Sequence, residues 1–126
     1  LVGGKEFVLS KPQAKSRKTL TVDAKVTLAG GQRYTPIDLA ASIADGEAVY
    51  DNSRAFEERY DPYFRADIRI GYKIAGSRFT QEWAIDVQNV TNQDNPFGQD
   101  FNAATGTIET TNQLGLFPMF LYRITF

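Results

Sequence analysis

Residues 63–74 read "YFRADIRIGYKI". Phe64, Ala66, Ile68, Ile70, Tyr72 and Ile74 fall on one parity, and Arg65, Asp67, Arg69, Gly71 and Lys73 on the other. Successive side chains of a strand point to opposite faces, so a period of two predicts a strand with one greasy face and one charged face. The stretch 19–29, "TLTVDAKVTLA", repeats the pattern: Leu20, Val22, Ala24, Val26 and Leu28 alternate with Thr19, Thr21, Asp23, Lys25 and Thr27. Residues 79–90, "FTQEWAIDVQNV", alternate more loosely, with Phe79, Trp83, Ile85 and Val87 sharing a parity with Gln81. The final residues set Phe120, Tyr122, Ile124 and Phe126 against Leu121, Arg123 and Thr125. A weaker strand is expected over 1–10, loosened by Gly3 and Gly4.

The connections between these strands alternate in length. Residues 11–18 and 75–78 are short; residues 30–62 and 91–117 are long. In an up-and-down meander both long connections leave one end of the sheet and both short turns the other. Long connections in compact proteins usually carry function. A short helix, opened by Thr35 and Pro36, is expected within "TPIDLAASIADGEAV".

Composition removes several classes of function. The chain has 14 Lys+Arg against 15 Asp+Glu, so no basic face argues for nucleic acid. It has no cysteine and no histidine, which excludes disulfides and thiolate metal sites and removes the commonest general base. Among the carboxylates, Glu57, Glu58 and Asp61 lie near Arg54 and Arg59, a grouping best read as salt bridges that anchor a loop. Asp45, Glu47 and Asp51 lack the spacing of a calcium loop. Glu82 and Asp86 share a strand face at roughly 13 Å, too far apart for a glycosidase pair and well placed for ion pairing. The Asn89–Thr91 sequon is a weak match. No catalytic residue, cofactor or metal ligand is assigned, and the chain is expected not to be an enzyme.

Alternation alone also fits a soluble antiparallel β-sandwich whose long loops form a binding end. Strand length argues otherwise, since soluble strands cluster near 5–6 residues and a tilted transmembrane strand needs about 9–11. Sidedness argues the same way, because bacterial outer-membrane barrels have short turns on one side and long loops on the other. Five strands are too few to close a barrel, which takes about eight, so the chain is expected to be a piece of a larger sheet or to need a partner. The lipid-facing residues are then Leu20, Val22, Val26, Leu28, Phe64, Ile68, Ile70, Tyr72, Trp83, Ile85 and Val87. Tyr72, Phe79, Tyr122 and Phe126 belong to an aromatic girdle at the short-turn rim, with Phe64 and Tyr34 near the opposite rim.

The strings "GGQRYTPIDLAAS", "AVYDNSRAFEERYDPYFRADIRIGYK", "QEWAIDVQNVTNQDN" and "QLGLFPMFLYRITF" resemble the C-terminal end of TonB-dependent outer-membrane receptors of the Bacteroidetes type. The resemblance covers essentially the whole chain, residues 1–126. It implies the last five strands of a 22-stranded transmembrane β-barrel, with the plug domain and the TonB-contacting segment upstream. It implies residence in the outer membrane of a Gram-negative bacterium and energised uptake of a scarce or large ligand such as a siderophore, cobalamin, glycan or peptide. The implied partners are outer-membrane lipid, the rest of the barrel and its plug, the TonB complex, the barrel-assembly machinery and a surface lipoprotein; nucleic acid is not among them. Phe120, Tyr122, Ile124 and Phe126 resemble the assembly signal of such barrels, with Leu121 where the family pattern has glycine. Arg33, Tyr34, Arg54, Tyr60, Phe97 and Phe101 are the candidate ligand or loop contacts on the extracellular side.

Overall fold

A computed structural model describes residues 1–126. In chain order its elements are β1 (Val2–Val8), β2 (Arg17–Ala29), β3 (Arg33–Tyr34), helix α1 (Leu39–Asp45), β4 (Glu58–Arg59), β5 (Tyr63–Ala75), β6 (Thr80–Gln88), β7 (Pro96–Asn102), β8 (Thr107–Asn112) and β9 (Phe117–Thr125). A 3₁₀ turn over Asn52–Arg54 precedes β4. No helix is long and apolar enough to cross a membrane, a statement about helices that does not bear on barrels, which cross with strands.

Five strands form an antiparallel meander in the order β1-β2-β5-β6-β9. These are the five strands expected from alternation. β2 and β5 each run for 13 residues, and β6 and β9 for 9. The long connections close into two separate small sheets, β3-β4 and β7-β8. The chain divides into two compact units: Leu1–Thr27, Arg65–Gln93 and Gly115–Phe126 make up the meander, and Leu28–Phe64 with Asp94–Leu114 hold both long connections.

Register turns the one-dimensional pattern into two chemically distinct faces. Across β5, β6 and β9 the rows Ile68–Val87–Pro118, Ile70–Ile85–Phe120 and Tyr72–Trp83–Tyr122 line up on one face. On the other face the rows are Arg69–Asp86–Met119, Gly71–Ala84–Leu121 and Lys73–Glu82–Arg123. Such cross-strand neighbours are the unit of sheet stabilisation. On the charged face Arg69 reaches Glu82 at 3.5 Å and Asp86 at 3.9 Å, and Arg123 reaches Glu82 at 3.9 Å. Glu82 and Asp86 are thus ion-pair partners of one arginine. On the apolar face Trp83 lies between Tyr72 and Tyr122, with ring centroids 6.2 and 5.4 Å away.

The apolar face has not been buried. Ile70 is 48% exposed, Ile85 49% and Phe120 71%; Val22, Leu28, Tyr122 and Ile124 are exposed as well. The buried hydrophobic residues of the whole chain are Ile37 and Ala84 alone. A sandwich would place its most apolar face inside, since burial is worth about 25 cal/mol per Å².

Small residues set the spacing of the meander. Gly71 pairs with Ala84, and Thr21 on β2 donates its hydroxyl to the Gly71 carbonyl at 3.3 Å. A Cβ at Gly71 would stand 2.5 Å from Thr21 Oγ1. Gly4 is paired with Asp23, and a side chain there would strike the Asp23 carboxylate. The glycines expected to loosen β1 thus include one that makes room for a neighbour, and β1 is a regular strand of 7 residues.

β6 ends at a polar knot. Asn89, only 1% exposed and in the left-handed region at φ 48°, receives the Gln93 N–H on Oδ1 at 3.0 Å. Its Nδ2 donates to the Gln93 carbonyl at 2.9 Å, and its backbone N–H donates to Asp67 Oδ1 at 2.9 Å. The sequon asparagine is therefore a turn-builder with its amide committed inside the protein.

One expectation about the connections needs correction. Helix α1 starts later than Thr35 and Pro36: Asp38 is the cap, its carboxylate accepting the Ala41 N–H at 3.0 Å, and Gly46 ends the helix in the left-handed conformation at φ 76°. Pro36 instead gives its carbonyl to the Asp51 N–H. The second long connection holds the β7–β8 hairpin, an element no alternation in the sequence announced, with Gly106 at φ 65° in its turn.

Candidate functional site

A recess lies in the unit built from the two long connections. It is an open cleft of about 600 Å³ lined by Arg33, Tyr34, Thr35, Ala48, Val49, Tyr50, Asn52, Phe56, Tyr60, Gly98 and Gln99. That volume lies in the range of ligand pockets.

Local backbone geometry builds it. β3 and β4 pair through Arg33↔Arg59 and Tyr34↔Glu58. The Tyr60 N–H continues the ladder onto the Gln32 carbonyl at 3.0 Å. This brings the rings of Tyr34 and Tyr60 into a stack with centroids 4.1 Å apart and planes 17° from parallel. Gly31 is required beside them, because any Cβ would collide with the Tyr60 carbonyl. Phe56 takes positive φ, 57°, and is clamped from both sides: its N–H donates to Thr35 Oγ1 and its carbonyl accepts from Arg33, each at 3.2 Å. The isolated bridge Ile37↔Tyr50 brings Tyr50 to the same wall.

Electrostatics within the cleft are set by which charges are already occupied. Arg54 donates to Glu57 at 2.8 Å and also to Glu58. Both carboxylates raise the Arg54 guanidinium above its ordinary value, with the Glu57 hydrogen bond first. Asp51 accepts from the Ser53 hydroxyl and N–H, and the side-chain bond leads in holding its carboxyl below the usual range. Burial is the leading cause that pushes the Tyr60 phenol up, with Tyr34 and Tyr50 adding to it. Arg33 is the one formally charged residue in the lining.

The structure brings together three of the six candidate contact residues: Arg33, Tyr34 and Tyr60. Arg54 stands outside the lining, tied down by its two glutamates as the salt-bridge reading expects. Phe97 is exposed on β7, and Phe101 pairs with Ile108 in the hairpin; neither lines the cleft. Tyr50, Phe56, Asn52 and Gln99 were not singled out by sequence. The β7–β8 hairpin delivers Gln99, and no alternation announces that hairpin. Tyr50 and Phe56 follow from the Ile37 bridge and the Phe56 clamp, which are tertiary events.

The assembly-signal residues Phe120, Tyr122, Ile124 and Phe126 are exposed, the first three on β9 at the edge of the meander. Compared with protein-family models, curated proteins and solved structures, the chain matches none of them.

Proposed function

We propose that this chain is a wall segment of an outer-membrane β-barrel, the C-terminal part of a TonB-dependent receptor whose 22 strands enclose a plug domain. The observation that carries the reading is the uncovered apolar face. Ile70, Ile85 and Phe120 are aligned across three strands and are 48–71% exposed, while the reverse face carries Arg69, Glu82, Asp86 and Arg123 in ion pairs. Lipid satisfies the first face and a wet lumen the second. Strands of 9 and 13 residues are long enough to cross the hydrocarbon at the usual tilt. Tyr72, Trp83 and Tyr122 form one aromatic row, as an interfacial girdle does. Outer-membrane residence, plug, TonB complex and assembly machinery follow from the family resemblance of the sequence. The two long connections, gathered in one compact unit, would contribute to a ligand mouth for energised uptake.

The test is depth-dependent charge in the parent receptor. Ile68→Arg, one row further from the Tyr72–Trp83–Tyr122 girdle than Ile70, puts a cation on the apolar face and should cost about 2–4 kcal/mol of assembly into vesicles if that face meets lipid near the midplane. Leu121→Arg, on the charged face, should be much milder. Assembly is read by the mobility difference between folded and heated protein in gels. Equal assembly of the two variants would sink the reading.

A further inference from the structure

We propose that the apolar face of the β1–β2 hairpin binds an anionic phospholipid, with Lys5 and Lys18 clamping its phosphate at the short-turn rim. This rests on the barrel reading and adds a lipid partner that the reading does not require. The first observation is a cation on the apolar face. Lys5 pairs with Val22 and Phe7 with Leu20, so Lys5 projects from the face that carries the residues read as lipid-facing. A charge there is costly at depth and cheap only near the interface. Lys5 leans toward the turn, with its Nζ 5.3 Å from the centre of the Phe7 ring.

The level of that ring can be read across the sheet. Thr21 donates to the Gly71 carbonyl, so the residues one step nearer the short turns, Leu20 and Tyr72, stand at one height. Phe7, opposite Leu20, therefore extends the aromatic row Tyr72–Trp83–Tyr122. Lys5 starts deeper in the apolar face and brings its ammonium back to the aromatic level, where headgroups begin. Lys18 stands on the other side of Phe7. The Leu9 N–H donates to the Lys18 carbonyl at 2.8 Å, which carries the register past Val8↔Thr19. Lys18 shares the parity of Leu20 and is exposed nearer the turn, so the two lysines bracket one aromatic level on one face.

The second observation is the missing counter-charge. The first 22 residues hold five cations, Lys5, Lys11, Lys15, Arg17 and Lys18, and one acid, Glu6, in a chain of net charge −1. Glu6 pairs with Thr21 on the opposite face and is held there by Arg17 at 3.4 Å. No acid accompanies Lys5 and Lys18 on theirs. A zwitterionic headgroup would bring an ammonium that finds no carboxylate; an anionic headgroup brings the phosphate without it. Acyl chains would then lie over Leu20, Val22 and Val26.

The test is lipid titration of the full-length parent receptor, folded and delipidated in neutral detergent and read by native mass spectrometry. The probes are phosphatidylglycerol and phosphatidylcholine of equal chain length. Phosphatidylglycerol should bind the more tightly. Lys5→Gln and Lys18→Gln should each weaken it about fivefold, the scale of one lysine at an anionic surface, and leave phosphatidylcholine unchanged. Lys5→Arg keeps the charge and should keep the affinity. Arg17→Gln removes the same charge from the opposite face and should leave both lipids unchanged. The mobility difference between folded and heated protein certifies each variant. The proposal is overturned if folded Lys5→Gln or Lys18→Gln binds phosphatidylglycerol as the parent does, the result expected if an acid on the strand beside β1 answers the lysines instead. It is overturned equally if phosphatidylcholine weakens in step, or if Arg17→Gln has the same effect. Assembly of Ile68→Arg is read in phosphatidylcholine vesicles without anionic lipid, so failure of the barrel reading and failure of the lipid clamp are separate results.

Discussion

Asn95 holds Phe64 as a neighbouring strand would. Its Nδ2 donates to the Phe64 carbonyl at 2.8 Å, and its Oδ1 accepts the Phe64 N–H at 3.0 Å. The amide is 2% exposed, and its own carbonyl accepts the Gln113 N–H at 2.9 Å. One side chain therefore substitutes for a missing ladder rung and ties the start of β5 to the second long connection. Asn95→Ala removes both bonds and strands two backbone groups away from water, at about 2–4 kcal/mol. Hydrogen exchange at the Phe64 amide should accelerate by about one and a half to three orders of magnitude on that scale; unchanged protection would show that the amide is not the anchor.

Two adjacent glycines have opposite expected sensitivity. A Cβ on Gly30 meets nothing within 4 Å, whereas one on Gly31 collides with the Tyr60 carbonyl. Gly30→Ala should leave the cleft intact. Gly31→Ala must push the backbone of residue 60 away and unstack Tyr34 from Tyr60. Near-ultraviolet circular dichroism reads the stack directly. Equal spectra for the two variants would refute the close approach.

The meander has its own test of fit. Gly71→Ala crowds Thr21 Oγ1, which would lie 2.5 Å from the new carbon. The substitution should cost about 1–3 kcal/mol by overpacking. In a Thr21→Ala background the obstructing hydroxyl is gone, and the same change should be nearly neutral. A double-mutant cycle with a coupling energy near zero would show that Thr21 is not what Gly71 makes room for.

Alkaline pH should weaken the cleft unit through Tyr60. Burial holds this phenol above its ordinary value of 10.0. The folded state therefore keeps the proton longer than the unfolded chain does. The stability is fully present below the unfolded value and is lost as pH rises through 10 toward the folded value. Absorbance at 295 nm should show a late-titrating tyrosine that Tyr60→Phe removes. If Tyr60→Phe leaves the alkaline unfolding midpoint where it was, the linkage is absent.

The five meander strands were legible because Val22, Ile70 and Ile85 sit in long runs of strict alternation, and period two is a strong local signal. Their pairing followed from connection lengths. The β7–β8 hairpin was not legible, because "PFGQDFN" and "TIETTN" are dominated by polar and turn-favouring residues that read equally well as loop. The cleft was half legible. Arg33, Tyr34 and Tyr60 stood out by type, but Tyr50 and Gln99 reach it only through a bridge and a hairpin that join distant segments. Thr35 and Pro36 suggested a helix start because proline favours a first turn, yet Asp38 won: a carboxylate cap satisfies an N–H that a threonine three residues earlier cannot reach.

The chain has a single tryptophan, and it stands in the middle strand of the row Tyr72–Trp83–Tyr122. Excitation absorbed by either tyrosine will be handed to the indole over 5.4–6.2 Å and emitted from there. Those short distances arise from the pairing of β5, β6 and β9 in register, so the transfer rises as the sheet zips. The sheet thus carries an intrinsic optical reporter of its own assembly, usable without a dye or a tag.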